Sequence, residues 1–237
     1  MLGWLKELDT EGCLGIGFGG GEPTLHPDFL DICKRVAGET QLAVTFTTHG
    51  HRLTPQLVDR LKGSIHFARI SVDGVGRTYE EQRGKQFASL LRVMESIATL
   101  SPFGINIVVN ERTVAELDAM SELAQKVGAS ELLLLPQQAT TLVASMDGVV
   151  GRALQDWVSN YRGKVRLAVS EAGASGLPTC DPLPDERGLQ AYAHIDASGM
   201  LRASSYSPAG AKIGDAGVLS ALKRLRNTFE IKRETQS

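Results

Sequence analysis

Short apolar runs alternate with segments of helical period over the first 170 residues of the chain. Apolar side chains that recur every three or four residues predict helices, and short runs rich in β-branched and aromatic residues predict strands. After a short first helix at 2–8, the predicted strands are 14–18, 42–47, 66–72, 105–109, 132–135 and 165–169. The segments between the strands predict helices within 29–36, 54–63, 79–100, 113–127 and 150–161.

This alternation predicts the fold class. Strands separated by helices form right-handed βαβ crossovers in a parallel sheet, and strands that are apolar throughout are typical of a sheet buried under helices. We therefore predict an α/β protein in which residues 1–170 form a partial (βα)6 TIM-like barrel with parallel strands. Because a closed barrel of this type has about eight strands, we expect open edges.

A second domain is predicted from residue 171 onward. Residues 171–187 are rich in Gly, Pro, Asp and Glu and are interpreted as a linker. A hairpin follows, with strands near 191–195 and 200–203 around the turn 196–199, and then a short helix at 218–229. The expected domains are thus 1–170 and 171–237, the second being a linker with a small hairpin and helix appendage.

Composition and charge exclude several function classes. The chain is 42% hydrophobic and 22% charged, with a formal net charge of -2 and scattered basic residues, so we expect no nucleic-acid partner. No apolar run approaches the roughly 20 residues of a membrane span, and the first residues lack the layout of a signal peptide. We expect a cytoplasmic protein with a peptide or small-molecule substrate and no membrane partner.

The most unusual stretch ends the first predicted strand, where three glycines precede Glu22 and Pro23. Glycines let a ligand approach the backbone, so we interpret this stretch as a strand-end binding site that presents the Glu22 carboxylate. A glycine-rich turn without a ligand is an alternative. A dinucleotide fingerprint is a second alternative, but Pro23 and Pro27 interrupt the helix that it needs.

Polar residues also follow the later predicted strands. In a parallel α/β sheet or barrel the ligands lie at the carboxyl ends of the strands, so these residues are expected to meet at one rim. Thr113 and Glu116 between strands four and five fit a helix capping box. The strand-end motifs are Thr47-Thr48-His49-Gly50, Ser71-Val72-Asp73-Gly74, Asn110-Glu111 and Pro136-Gln137.

In this order, with Arg83 in the helical region after Asp73, the motifs resemble the radical S-adenosylmethionine superfamily, and within it the branch that matures peptides and sulfatases. The resemblance covers roughly residues 14–215. It implies a parent protein that uses a [4Fe-4S] cluster to cleave S-adenosylmethionine and then modifies a peptide or small molecule by radical chemistry. It also implies that the appendage is a degenerate relative of the SPASM or twitch modules that hold auxiliary clusters.

The resemblance implies a set of cofactor-binding residues. Glu22, with the backbone at Gly20 and Gly21, matches the contact to the methionyl ammonium, and Arg83 matches an arginine that meets the cofactor carboxylate. His49 stands where the family usually has Asn. Asp73 is the one catalytic candidate. The full implied set is Gly20, Gly21, Glu22, Pro23, Thr47, Thr48, Ser71, Asp73, Arg83, Leu135 and Pro136.

The cluster ligands of the family are not matched. Family members carry Cys-x3-Cys-x2-Cys, whereas this chain has cysteines only at 13, 33 and 180. We therefore expect no metal ligands in this chain and interpret it as a truncated or degenerate member. Cys180 and the segment Ile213-Gly214-Asp215 resemble parts of the appendage, but one cysteine does not hold an auxiliary cluster.

Two other function classes stay open. His49 and His51 follow a strand and could chelate zinc in a metal-dependent barrel hydrolase, with Asp73 as a further ligand. A pseudoenzyme that kept the barrel and binds a cofactor or partner without catalysis is the other alternative.

Overall fold

The computed structural model describes residues 1–139, 145–170, 177–178, 186 and 188–234, and the side chains of 229–234 are not described. Cys180 and most of the predicted linker, 171–187, lie outside these residues. The described chain forms two compact units. One consists of residues 15–38 and 42–180, and the other of residues 1–14, 39–41 and 181–237, in each case as far as they are described. The predicted boundary at 170/171 stays a prediction, and the first helix groups with the C-terminal unit.

The first unit is built on six strands that pair in sequence order, all in parallel. Parallel neighbours in this order require a crossover between every pair, and helices fill the crossovers. The predicted α/β architecture with a partial TIM-like barrel is thus confirmed, and β1 and β6 are the edge strands of this sheet. The strands are β1 (Gly15–Phe18), β2 (Ala43–Thr48), β3 (Phe67–Ser71), β4 (Phe103–Val109), β5 (Glu131–Pro136) and β6 (Arg166–Val169).

Helices connect these strands and begin the chain. Thr54 caps α3 by accepting a hydrogen bond from the Leu57 N–H at 3.2 Å, and Asp147 caps α7 in the same way. No described helix is both long and apolar enough to cross a membrane. The helices are α1 (Leu2–Thr10), α2 (Phe29–Glu39), α3 (Pro55–Leu61), α4 (Arg77–Arg83), α5 (Phe87–Ala98), α6 (Leu117–Lys126), α7 (Gly148–Asn160) and α8 (Gly217–Glu234), with 3-10 turns at Pro23–Leu25, Val114–Glu116 and Gly188–Gln190.

The two faces of the six-stranded sheet differ in character. Side chains alternate between faces along a strand, and paired residues of parallel neighbours share a face. Phe46 of β2 is buried against Phe29 of α2, with ring centroids 5.4 Å apart, so its face is covered by helices. We call the opposite face the inner face. It carries Thr47 and Ser71, which are only half-buried.

A charged row crosses the inner face near the amino ends of β4, β5 and β6. Arg69, Gly104, Glu131 and Arg166 are register partners on successive strands. Arg69 donates from Nε and Nη2 to Oε1 of Glu131, at 3.1 and 2.8 Å. This contact spans β4 because Gly104 has no side chain between the two, and a Cβ there would lie 3.3 Å from that of Glu131.

The second unit contains a three-stranded antiparallel sheet of β7 (His194–Ile195), β8 (Met200–Arg202) and β9 (Gly210–Lys212). Its core consists of Leu201, Ile213, Val218, Ala221 and Leu225, and Trp4 and Leu8 of α1 pack against it. The predicted hairpin is confirmed as β7 and β8. The third strand was not predicted, because Gly210–Lys212 has only three residues and contains no β-branched or aromatic side chain.

Two local predictions were wrong. The predicted helix over 79–100 is two helices, α4 and α5, because Gly84 ends α4 in a left-handed conformation with φ 61°. Thr113 and Glu116 form no capping box. The Thr113 hydroxyl donates instead to the Val108 carbonyl at 2.6 Å, and Glu116 accepts from the Val75 N–H at 2.8 Å and from the Thr78 hydroxyl.

The charged row gives a stability prediction. Arg69→Met leaves the Glu131 carboxylate, which is 6% exposed, without its bidentate partner. Removing one partner of a buried pair costs about 3–5 kcal/mol, and because the Arg69 side chain is 26% exposed we expect about 1–3 kcal/mol here. Urea denaturation measures the loss, with Arg77→Met as the matched control because Arg77 pairs with Glu81 on the surface. Equal losses in the two variants would contradict the interpretation.

Candidate functional site

The carboxyl ends of β1 and β2 meet around Glu22. After β1 the chain turns through Gly20, whose φ of 97° favours glycine. Glu22 then precedes the 3-10 turn Pro23–Leu25, and its side chain caps that turn by accepting from the Thr24 N–H. The glycines and Pro23 thus bring the carboxylate back toward the end of β2, as a strand-end site requires.

The Glu22 carboxylate is buried and hydrogen-bonded on both oxygens. Oε1 accepts from Thr24 N and Thr24 Oγ1 at 3.1 and 2.6 Å. The Thr48 hydroxyl lies 2.8 Å from Oε1 and 3.0 Å from Oε2. The His49 N–H donates to Oε2 at 2.9 Å, and Nε2 of the His49 ring lies 3.2 Å from the same oxygen. Two strand ends are therefore joined through one carboxylate.

These contacts keep Glu22 ionised. Burial alone raises the pKa of a carboxyl, but the hydrogen bonds from Thr24, the His49 N–H and Thr48 outweigh it, and the pKa of Glu22 is lowered from 4.5. A buried, fully ionised carboxylate at the rim of a parallel sheet fits a cationic group of a ligand.

His49 and His51 extend the polar network from Glu22 to α4. Their rings lie 4.8 Å apart, and Nδ1 of His49 accepts from the His51 N–H at 3.1 Å. The hydroxyl of Tyr79, a buried residue, lies 3.3 Å from Nε2 of His51. Partial burial and then the charges of His49, Lys85 and Arg83 lower the pKa of His51, which favours its neutral form.

Asp73 and Arg83 pair at the carboxyl end of β3. Asp73 Oδ2 lies 2.5 Å from Nη2 of Arg83. The loop after Asp73 is fixed by Glu116, which accepts from the Val75 N–H, and by Gly74 at φ 112°, where a Cβ would collide with Thr78. The arginine side chain is 33% exposed, so its remaining donors are accessible to a ligand.

The remaining predicted site residues divide between the two faces. Thr47, Ser71 and Leu135 lie on the inner face and are half-buried. Thr48 and Pro136 lie on the helix-covered face and are buried, so Thr48 reaches the site only through its hydroxyl on Glu22. The structure thus brings together Glu22 and Thr48, and Asp73 and Arg83.

Sequence reasoning missed three residues near the site. Thr24 and Glu116 act through contacts to Glu22 and to the loop after β3. Asn106 lies on the inner face beside Ser71, and its Oδ1 is buried without a hydrogen-bond partner. A polar residue in the otherwise apolar run Ile105–Val109 is a signal in the sequence that would have found Asn106.

The described residues do not fit a metal or an iron-sulfur cluster. No group of three His, Cys, Asp or Glu among them is arranged to hold a metal ion. Cys33 is buried in α2, which raises the pKa of its thiol to about 12, and cluster ligation needs thiolates. Nδ1 of His66, immediately before β3, accepts a hydrogen bond from the Val44 N–H at 2.9 Å and so is not available to a metal.

A pH-dependent stability follows from the ionised Glu22. Because the folded pKa lies below the unfolded value of about 4.5, the carboxylate stabilises the fold above that pH, and the contribution is lost as the pH falls through the folded pKa. Glu22→Gln, which turns amide donors toward existing donors, is expected to cost about 1–3 kcal/mol at pH 7. Urea denaturation of both proteins from pH 7 to pH 3 tests this, with Glu95→Gln on the exposed face of α5 as control. A stability gap that stays constant down to pH 3 would contradict it.

Two curated relatives align with part of the chain. Mycofactocin maturase MftC of Mycobacterium tuberculosis (strain CDC 1551 / Oshkosh) is 31% identical over 131 residues, which are 53% of this chain and 33% of that protein. The AdoMet-dependent heme synthase of Methanosarcina barkeri (strain Fusaro / DSM 804) is 34% identical over 116 residues, 46% of this chain and 33% of that protein. The chain spans about a third of the length of these relatives.

Solved structures of Streptococcus suis SuiB have a similar fold. SuiB bound to S-adenosylmethionine gives a TM-score of 0.67 at 12% identity, over 88% of this chain and 54% of that chain. SuiB bound to its precursor peptide SuiA gives 0.64 at 13% identity, over 84% and 51%. A family model described as the Radical SAM superfamily matches residues 1–124, more than half of this sequence of 237. The chain therefore belongs to the radical S-adenosylmethionine superfamily.

Proposed function

We propose that this chain provides the S-adenosylmethionine-binding part of a protein that modifies a peptide by radical chemistry. The observation that carries the proposal is the buried, ionised Glu22 carboxylate where β1 and β2 end. A carboxylate in this place binds the α-ammonium of the methionyl group by a charge-assisted hydrogen bond. Members of the superfamily use S-adenosylmethionine and a [4Fe-4S] cluster.

Other residues of the rim complete the proposed site. Arg83 binds the methionyl carboxylate with the guanidinium donors that Asp73 leaves accessible. Ser71 and Asp73 lie at the end of β3, where hydroxyl and carboxyl groups suit the ribose. Leu135 offers apolar surface on the inner face for the adenine ring. Gly20 and Gly21 leave room for the ligand beside the backbone, since nothing lies within 4 Å of a Cβ built at either.

The described cysteines do not fit a cluster, and the role of the described residues is to bind and orient the sulfonium cofactor. Asp73, the catalytic candidate, accepts a hydrogen bond from the ligand at Oδ1, since Oδ2 pairs with Arg83. The three-stranded sheet and α8 are proposed to be a degenerate SPASM-like appendage, supported by the hairpin of β7 and β8.

The substrate class is proposed to be peptidic. The support is the likeness to SuiB, whose structures include a precursor peptide, over more than four fifths of this chain. The heme synthase favours the alternative of a small-molecule substrate. The zinc hydrolase alternative has less support, because the His49 ring contacts Glu22 and His51, and the described residues hold no three-ligand group. A pseudoenzyme that only binds the cofactor uses the same Glu22 site.

Cofactor binding tests the proposal directly. We expect the 237-residue chain to bind S-adenosylmethionine with a Kd in the millimolar range, about -4 kcal/mol, because iron chelation of the methionyl group does not contribute. Glu22→Ala is expected to abolish saturable binding, since it removes the ammonium acceptor. Calorimetry or ligand-observed NMR measures both, with Glu95→Ala as a matched control. Unchanged affinity of Glu22→Ala would overturn the assignment.

Reductive cleavage separates an enzyme part from a pseudoenzyme. The 237-residue polypeptide, purified anaerobically with iron, sulfide and dithionite, is expected to release no 5'-deoxyadenosine, because cysteines at positions 13, 33 and 180 lack the Cys-x3-Cys-x2-Cys spacing of the family. The same polypeptide with a Cys-x3-Cys-x2-Cys strand unit joined at its amino end is expected to release it. A stoichiometric [4Fe-4S] signal from the 237-residue polypeptide alone would contradict this ligand count, and an inactive extended polypeptide would favour the pseudoenzyme.

A further inference from the structure

The Glu22 carboxylate already has all the donors that it accommodates. Its four hydrogen-bond donors are Thr24 N, Thr24 Oγ1, Thr48 Oγ1 and His49 N, and Nε2 of the His49 ring lies 3.2 Å from Oε2. A carboxylate offers about four lone-pair positions. A ligand ammonium therefore reaches a Glu22 oxygen only if one of these neighbouring groups leaves.

The His49 imidazole is the neighbour of Glu22 that is able to leave. Thr24 N and His49 N are backbone groups whose positions are set by the 3-10 turn and by the end of β2. Thr48 is 2% exposed, and its oxygen also accepts from the Gly50 N–H at 2.9 Å. The Thr24 hydroxyl is bonded at 2.6 Å within the capped turn. The His49 side chain is 26% exposed, so rotation about its side-chain bonds takes the ring into solvent.

The contacts of the ring define which nitrogen carries the proton. Nδ1 of His49 accepts from the His51 N–H, so it has no hydrogen of its own. The neutral ring then carries its hydrogen on Nε2, and this nitrogen lies 3.2 Å from Oε2 of Glu22. The ring thus places an N–H nitrogen beside the carboxylate oxygen, where the nitrogen of a bound ammonium would lie.

We propose that the His49 imidazole occupies the position of the ligand ammonium on Glu22 and has to swing out before the ammonium binds. This inference rests on the proposed function, in which Glu22 binds the methionyl ammonium. His49 acts as a specificity-determining residue, because only a ligand with its own strong N–H donor compensates for the contact that the ring loses. The apparent affinity is the intrinsic affinity multiplied by the fraction of molecules in which the ring has swung out.

Two substitutions at position 49 and one matched control test the exchange. His49→Asn keeps an acceptor for the His51 N–H, as Asn110 Oδ1 does for the Arg112 N–H at 3.0 Å, but lacks the imidazole Nε2–H. His49→Ala removes every side-chain donor. His26→Asn is the control, because His26 Nδ1 accepts from the Asp28 N–H at 3.2 Å in the same local pattern without a contact to Glu22.

The measured quantity is the Kd of S-adenosylmethionine. We expect His49→Asn and His49→Ala to bind about 3- to 10-fold more tightly than the parent chain, and His26→Asn to be unchanged. 5'-Methylthioadenosine, which lacks the ammonium, is expected to bind all four proteins equally. In ¹⁵N spectra of the parent chain, the His49 Nε2–H signal is expected to shift on saturation with S-adenosylmethionine but not with 5'-methylthioadenosine.

The outcomes separate the inference from the proposed function. Binding that requires Glu22 but is equal within twofold in the parent chain and both position-49 variants overturns the inference and leaves the proposed function intact. A His49 ring that carries its hydrogen on Nδ1 in the ligand-free protein has the same consequence. Absence of saturable binding in every protein, His49→Ala included, overturns both.

Discussion

The candidate site depends on the burial of one ionised carboxylate. Glu22 is only 9% exposed, and a buried carboxylate is tolerated only where hydrogen-bond donors replace the lost water. Its donors come from Thr24 in the turn that it caps and from Thr48 and His49 at the end of the neighbouring strand. The same bonds that keep Glu22 ionised therefore also fix the turn after β1 against β2, so the binding group and its support cannot be varied separately.

Much of the first unit could be predicted from the sequence because its information is local. The strand β4, Phe103–Val109, is apolar on both faces over most of its length, and such a run between helical segments predicts a buried parallel strand. Strand ends then follow from strand order, which predicted that Glu22, Thr48 and Asp73 lie at one rim. The break between α4 and α5 was missed because the polar residues before Gly84 are mostly helix-forming Glu, Gln and Arg, and a single glycine only weakly opposes a helix.

The partners of the site residues could not be predicted, because they depend on contacts between distant segments. Glu116 fits a capping box with Thr113 by spacing, yet its carboxylate bonds the loop after β3, about forty residues earlier in the chain. The contact from Arg69 to Glu131 requires a glycine at the matching position of β4, which lies between them. The sequence around Arg69 and Glu131 does not show that Gly104 has this position. Sequence predicts which residues are chemically unusual, and the register decides which of them meet.

Glu22 and Arg83, the two charged residues proposed to bind the methionyl zwitterion, already have partners in the protein. Glu22 holds the His49 ring, and Arg83 holds Asp73. An incoming ammonium therefore exchanges partners at Glu22 instead of filling a vacant position, and its net gain is the difference between the old and the new contacts, which is smaller than either alone. The ligand carboxylate binds the Arg83 donors that Asp73 leaves accessible. Such a site is stable without its ligand, because no buried charge is left unpaired. It also binds weakly unless a further anchor contributes, and chelation of the same zwitterion by iron is the anchor that the described cysteines do not provide.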